Sequence, residues 1–361
     1  MRIKSFLAMV LMTTFATFLV LSMRPDLGEA GQMGSTYKVL APITRGNLSI
    51  FPVVADRTHD TRNFLTLDDG VRSGEVVVSE AGSVRPLIRG HVDYIRGDGA
   101  EVNRLVLVNN SDRPLILLAG EIVTGGKQDR VVGKDRIVPP KSDPIDLAVF
   151  CVEPERWVAT KSEFGSFHSQ MAQPSVRRSA MANKDQEKVW ADVHATAQSL
   201  AVQASHPAAE AMGKTSSYAG VMANDEVKRR VDSVAAPLEQ SYLGVIRELR
   251  ERNAVGVVVA VNGRMIWADI FASTPLLEKY WPKLIRSYAA EALTESKNSG
   301  ELDAREAQVF LQNFGARHEA EETEPEVFRR TELTGDDFTA FELTSLLPGT
   351  GFDVHIAKMV D

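Results

Sequence analysis

Two stretches of the chain gather residue types that can do chemistry: LILLAGEIVTGGKQDRVV at 115–132 and FCVEPERW at 150–157. The first supplies Glu121, Gly125, Gly126, Lys127, Gln128 and Arg130; the second supplies Glu153, Arg156 and Trp157, with Pro139-Pro140 between them. Lys127, Gln128 and Arg130 offer donors to an anionic or polyhydroxyl ligand, the glycines let a backbone approach it closely, and Trp157 gives a stacking face. In a hydrolase of an ADP-ribose-like, glycosidic or phosphate ester bond, Glu121 or Glu153 would be the general base and Lys127 or Arg130 would stabilise charge. The same residues also fit a structural network in which Glu121 or Glu153 pairs with Arg130 or Arg156 to fix a hairpin. The expected outcome is mixed: strands hold Glu121 and Arg130 inside, and the glycine turn pushes Lys127 and Gln128 outward.

Gly126-Lys127 has the look of a phosphate loop, but the resemblance stops there. Such a loop needs glycines at a fixed spacing before the lysine, then Ser or Thr for magnesium, then a helix facing the phosphates. Here the first glycine position holds Glu121, whose carboxylate would repel phosphate, and residue 128 is Gln. DRVVG then reads as strand and turn, not as the start of a helix.

Other chemistries are excluded or weakly marked. A net charge of −7 and a pI near 5.6 argue against a nucleic-acid surface, which needs clustered Lys and Arg. HExxH, CxxC, GxSxG and EF-hand patterns are all missing, and the seven histidines lack metal-ligand spacing, so neither metal nor cofactor is expected. His91 and His194 read as structural, Arg96-Gly97-Asp98 as a hairpin turn, Arg177-Arg178 as solvated, and the acidic EAEETEPE as a solvated loop. The lone Cys151, within LAVFCVE, reads as a small buried hydrophobe.

The elements that must position these residues follow from periodicity. Arg2 and Lys4 precede an uncharged run from Ser5 to Met23, an export signal whose small-residue site at Gly28-Glu29-Ala30 favours cleavage over a retained membrane anchor. Residues 1–30 are therefore a signal peptide or anchor, 31–36 a short linker, and 37–361 a single domain outside the cytoplasm. Within it, 37–157 is a β-rich half: LSIFPVVA, EVVVSE, VRPLIRG, RLVLVNN, PLILLAGEIV, RIVPP and IDLAVFCV are strands at sandwich spacing, with one helical turn at FLTLDDGVRSG. Residues 158–183 show no period and read as a surface loop or lid.

Residues 184–361 form an α+β half. Asn183 with Gln186 suggests a capping box, and Asn224 precedes a helical stripe that Pro237 should kink. Asn262-Gly263 between apolar runs signals a β-hairpin, Pro275 and Pro282 can each open a helix, and Asp303 with Glu306 caps another. Two closing strands lie within FRRTELTGDDFTAFELT and DVHIAKM. The fold expected is α+β: an antiparallel β-sandwich-like sheet, then helices, a β-hairpin, two further helices and closing strands.

GEIVTGGKQDRVV, IVPPKSDPIDLAVFCVEPERW, and GVVVAVNGRMIWADIF followed by LLEKYWPKLIRSYAAEAL resemble the domain family named for its association with ADP-ribosylglycohydrolases and rhodanese-phosphatase proteins. The resemblance runs from about Tyr37 to the C-terminus. It implies a link to NAD or ADP-ribose metabolism, from which the export signal sets this chain apart, and it carries over no catalytic residues. The function expected is an exported domain that binds a small polar or anionic ligand or a partner, with the hydrolase as alternative. Nucleic acid is not a partner, and a membrane is met only through an uncleaved N-terminal segment.

Overall fold

The structure, a computed structural model, describes residues 37–80, 104–154, 163–248, 252–295, 300 and 302–361. Strands β1 (Tyr37–Val39), β2 (Ile43–Arg45), β3 (Leu48–Ala55) and β4 (Leu65–Thr66) lead into α1 (Leu67–Ser73). Then come β5 (Val76–Glu80), β6 (Arg104–Asn109), β7 (Leu115–Leu117), β8 (Glu121–Gly125), β9 (Arg130–Val132), β10 (Arg136–Val138), β11 (Ile145–Cys151) and β12 (Glu163–Met171). Helices α2 (Pro174–Arg178), α3 (Gln186–Val202), α4 (His206–Met212), α5 (Tyr218–Met222) and α6 (Asp225–Glu248) follow. The hairpin β13 (Ala254–Val261) and β14 (Arg264–Phe271), helices α7 (Thr274–Thr294) and α8 (Ala304–Gln312), and strands β15 (His318–Glu324), β16 (Phe328–Thr334), β17 (Phe338–Ser345) and β18 (Asp353–Val360) complete the chain. The expected strand VRPLIRG, His91, Arg96-Gly97-Asp98 and the N-terminal apolar run lie outside the described residues. Among those described, no helix is long and apolar enough to cross a membrane.

The α+β class holds, but the β-rich half is not a sandwich. Six strands close into a barrel in the order β11-β6-β5-β12-β8-β9. A barrel interior alternates with its exterior as a sandwich core does, so periodicity does not separate the two. Val78, Leu105, Leu107, Val123, Val132 and Val149 fill the inside. What closes the ring is β12, from the stretch expected as a surface excursion; EFGSFHSQM has no apolar alternation that would mark it as a strand. Behind it, α2 and a π-helix at Ser179–Asn183 are packed into the molecule, with Val176, Ala180 and Met181 fully buried. Asn183 therefore ends a helix. Asp185 caps α3 in its place, accepting from the backbone N–H groups of Glu187 and Lys188.

The two halves expected from sequence share a sheet. Nine strands among the described residues run β1-β3-β13-β14-β18-β17-β16-β15, with β2 also on β3, so the first strands pair with those after the helices. β13 is buried at every position, because both faces are covered. Ala254, Val257 and Val259 meet the core beneath α6 and α7, while Val255, Val258 and Ala260 meet Ala307 and Leu311 of α8. Lys358 of β18 ends α8 by donating to the carbonyls of Phe310 and Asn313, its ammonium 4.1 Å from the Phe338 ring.

The local signals mostly hold. Asn262-Gly263 turns the hairpin, Asn224 caps α6, and Asp303 with Glu306 forms a complete capping box on α8. Pro282, however, opens no helix. It lies inside α7, which starts at Ser273 and Pro275. The acidic stretch is β15, not a loop, and the close of the chain uses four strands rather than two. Cys151 is fully buried, and burial pushes its thiol pKa up.

Candidate functional site

The turn between β8 and β9 is a packed plug at the barrel end. Gly125 N–H donates to Asp129 Oδ1 (3.1 Å), Lys127 N–H to Glu80 Oε1 (2.8 Å) and Asp129 N–H to Glu153 Oε2 (3.0 Å). Gln128 is buried, not outward, and donates from Nε2 to the Glu153 carbonyl (3.0 Å). The close approach that glycine permits at 126 is used by the protein itself: a Cβ there would stand 2.3 Å from the Phe164 ring and 2.6 Å from Glu80 Oε1. Arg130 is buried and donates to the Asp129 carbonyl (3.4 Å), and Lys127 is half-buried. Arg156 and Trp157 lie outside the described residues. The plug is tied to the helices by a bond from Ser217 Oγ to Asp129 Oδ2 (2.7 Å); Ser217 is the N-cap of α5.

Glu121 does not pair with Arg130. Its Oε1 accepts from Lys283 Nζ at 2.5 Å, and its Oε2 accepts the Leu118 N–H at 2.7 Å. Lys283 also donates to Asp68 Oδ2 at 2.7 Å, so one ammonium from α7 joins a carboxylate from α1 and one from β8. Burial pushes the Glu121 carboxyl up despite the lysine beside it. For Lys283, burial acts downward but is outweighed by Glu121 and Asp68, which raise it. Among the described residues Glu153, bonded to Asp129, shares no partner with Glu121, and the two glutamates there belong to separate networks.

A second buried network starts two residues before Glu121. Asp135 accepts the Ala119 N–H through Oδ1 (2.7 Å), and its Oδ2 lies 2.6 Å from His355 Nδ1. His355 Nε2 lies 3.0 Å from Asp269 Oδ1, and Arg177 and Tyr288 donate to the same carboxylate. With a carboxylate on each ring nitrogen, both nitrogens must donate, which makes His355 an imidazolium. Burial acts to lower its pKa, but Asp135 and Asp269 overcome this and raise it to about 9. Gly120 separates the two networks. Its φ of +95° suits glycine, and a Cβ there would lie 2.5 Å from Arg177 Cγ.

Above Lys283 opens a cleft of about 300 Å³ between β12, α5, α6 and α7. Met171, Tyr218, Met222 and Val231 give it an apolar wall; Asp225, Lys228, Asp232 and Arg286 stand around it, and Lys283 is at its deep end with its side chain 2% exposed. Arg286 is held by Asp232 and Glu239, each at 3.0 Å. The plug chosen from sequence thus bears on the cleft indirectly: Asp129 fixes Ser217, Ser217 starts α5, and α5 supplies Tyr218 and Met222.

Sequence reasoning missed Lys283, Asp68, Asp135, Arg177, Asp269 and His355. A signal was present in part. Tyr280, Lys283 and Ser287 follow the helical spacing of the apolar stripe, so a charge sits on the buried face of α7. Asp269 likewise alternates with Trp267 and Phe271 on a core-facing strand.

Over residues 36–357 the sequence matches the family model described as ARG and Rhodanese-Phosphatase-superfamily-associated Protein domain. No curated protein and no solved structure matches it.

Proposed function

The chain belongs to the ARG and Rhodanese-Phosphatase-superfamily-associated Protein domain family, and from that premise we propose that it is an exported binding domain whose ligand occupies the cleft above Lys283. The observation that carries this reading is the cleft itself, an apolar-walled recess that ends at a buried cluster of ionisable groups. Recesses of this size with a few convergent polar groups are the usual form of small-molecule sites.

The charges around it select a ligand class. Lys283 faces Glu121 and Asp68, and Arg286 faces Asp232 and Glu239, so each of these cations is already matched by two carboxylates. With those partners counted, five carboxylates (Asp68, Glu121, Asp225, Asp232 and Glu239) stand against three cations (Lys228, Lys283 and Arg286), so a polyanion would meet more acid than base. A hydroxyl-bearing ligand with one flat or apolar face, such as a nucleoside or a sugar, suits the walls better than a free diphosphate. Export rests on Arg2, Lys4 and the apolar run that follows them. Binding is favoured over hydrolysis because Glu121, the better-placed acid, is locked to Lys283 and to the Leu118 N–H rather than turned into the cleft.

Thermal-shift measurement of the mature chain against ribose, adenosine, other sugars, ADP-ribose and NAD tests the proposal, since a ligand of the native state raises its melting temperature. A shift with a neutral hydroxyl-rich compound that is lost in Met222→Trp, which fills the cleft, is the expected result. A shift unaffected by Met222→Trp would move the site elsewhere.

A further inference from the structure

β15 is the outer strand of the nine-stranded sheet. Among the described residues it pairs with β16 alone, in unbroken register from His318↔Thr334 to Glu324↔Phe328. Every side chain from His318 to Thr323 is exposed, and the sequence HEAEETE buries no large apolar group. Glutamate is a poor strand former, and proteins usually shorten, bulge or cover an edge like this one. Here a seven-residue edge keeps unbroken register, and among the described residues its outer backbone donors and acceptors have no strand partner.

Its two faces differ. Glu322 pairs with Lys134 at 2.9 Å and Glu324 with Arg136 at 2.7 Å, which ties one face to the β9–β10 segment. Glu319 and Glu321 point to the opposite face, since side chains alternate along a strand, and among the described residues no cation pairs with either. That face continues into Glu342 of β17 and Asp353 of β18. Burial, then Asp353 and Glu319, push the Glu342 carboxyl up to about 8 against the lowering effect of Arg329. One Glu342 oxygen, Oε1, is buried with no hydrogen-bond donor.

We infer that β15 is a docking edge for an extended basic segment of another protein, which adds as the next strand and sets Lys or Arg at alternate positions over Glu319 and Glu321. Strand addition supplies affinity through backbone bonds and specificity through alternate side chains. A second copy of β15 does not fit, because glutamates would face glutamates, and like charges directly opposite destabilise a pair of strands. The unmatched acids on one face select a cationic partner, and the matched acids on the other hold the strand in place to receive it.

The test uses two fluorescein-labelled heptapeptides of equal charge, one alternating Lys with Thr and one alternating Lys with Pro. Pro lacks the N–H that strand pairing needs. Fluorescence anisotropy with the mature protein should show saturable binding of the Lys–Thr peptide and at least tenfold weaker binding of the Lys–Pro peptide. Glu319→Gln/Glu321→Gln, two exposed positions, should melt as wild type does and weaken the first peptide at least tenfold. Equal binding of both peptides would reduce the surface to simple charge attraction and overturn strand addition. So would no binding, an unaffected double variant, or self-association through β15 in sedimentation.

Discussion

Both terminal nitrogens of Arg177 reach the carboxylate of Asp269, at 2.9 and 3.0 Å, and neither side chain exposes any surface to solvent. The fork pins α2, behind the barrel, to β14 in the middle of the large sheet, and the guanidinium also lies 4.3 Å from the Trp267 ring. Arg177→Leu leaves a buried carboxylate short of its main partner and should cost about 3–5 kcal/mol. Urea unfolding followed by circular dichroism measures it. A midpoint equal to wild type would mean that the fork contributes nothing to joining the two β-systems.

His355 makes stability depend on pH. Its pKa is about 9 in the folded protein, against roughly 6.5 unfolded. A raised pKa means the folded state holds the proton more tightly. The stabilisation is therefore fully present below pH 6.5 and lost as pH rises through 9, an effect of about 3 kcal/mol. Glu342, raised to about 8, removes stability as pH rises from the usual carboxylate range; Lys358, lowered by burial to about 8, returns some above that. The diagnostic quantity is the wild-type stability minus that of His355→Asn. It should fall between pH 6.5 and 9, and a flat difference would show that His355 is not charged in the fold.

Substitutions in GGKQDR should separate by burial. Lys127→Ala, at a half-buried position, should change stability by no more than about 0.5 kcal/mol. Gln128→Ala loses a buried bond to the Glu153 carbonyl and should cost about 1–2 kcal/mol. Ser217→Ala removes the α5 cap and the link to Asp129, about 1 kcal/mol or more. Thermal melts of the three variants rank them; if Lys127→Ala is instead the most costly, the plug is organised around that side chain. Loss of the cleft ligand in Lys127→Ala alone would bring the turn into the binding site.

The mature chain should begin near Gly31 and be recovered outside the cytoplasm. Mass spectrometry of the N-terminal peptide decides the matter: Met1 retained in a membrane fraction would select the anchor instead.

Local signals in the sequence were good guides where one residue does one local job, as at Asn262-Gly263, Asn224 and the Asp303–Glu306 box. They failed where long-range contact decides. β12 closes the barrel without an apolar alternation, because its backbone pairing with β5 and β8 and the bulge in its register do the work. Glu121 and Arg130 were rightly expected inside, but their partners were not those close in sequence; Lys283 belongs to a helix whose apolar stripe hides a charge. Arg177 reads as a solvated residue beside Arg178, and only the fold brings Asp269 to it. Buried ion pairs between distant elements leave no spacing to detect.

β18, the last strand in the chain, lies between β14 and β17 in the interior of the sheet. A chain leaving the ribosome therefore carries β14 and β17 each with one ladder open until residues 353–360 arrive. Before then Asp135 and Asp269 lack the imidazolium that bridges them, and α8 lacks the lysine that ends it. Pairings made so late in synthesis give a high contact order and slow acquisition of structure. The waiting edge is the kind on which nascent chains associate wrongly.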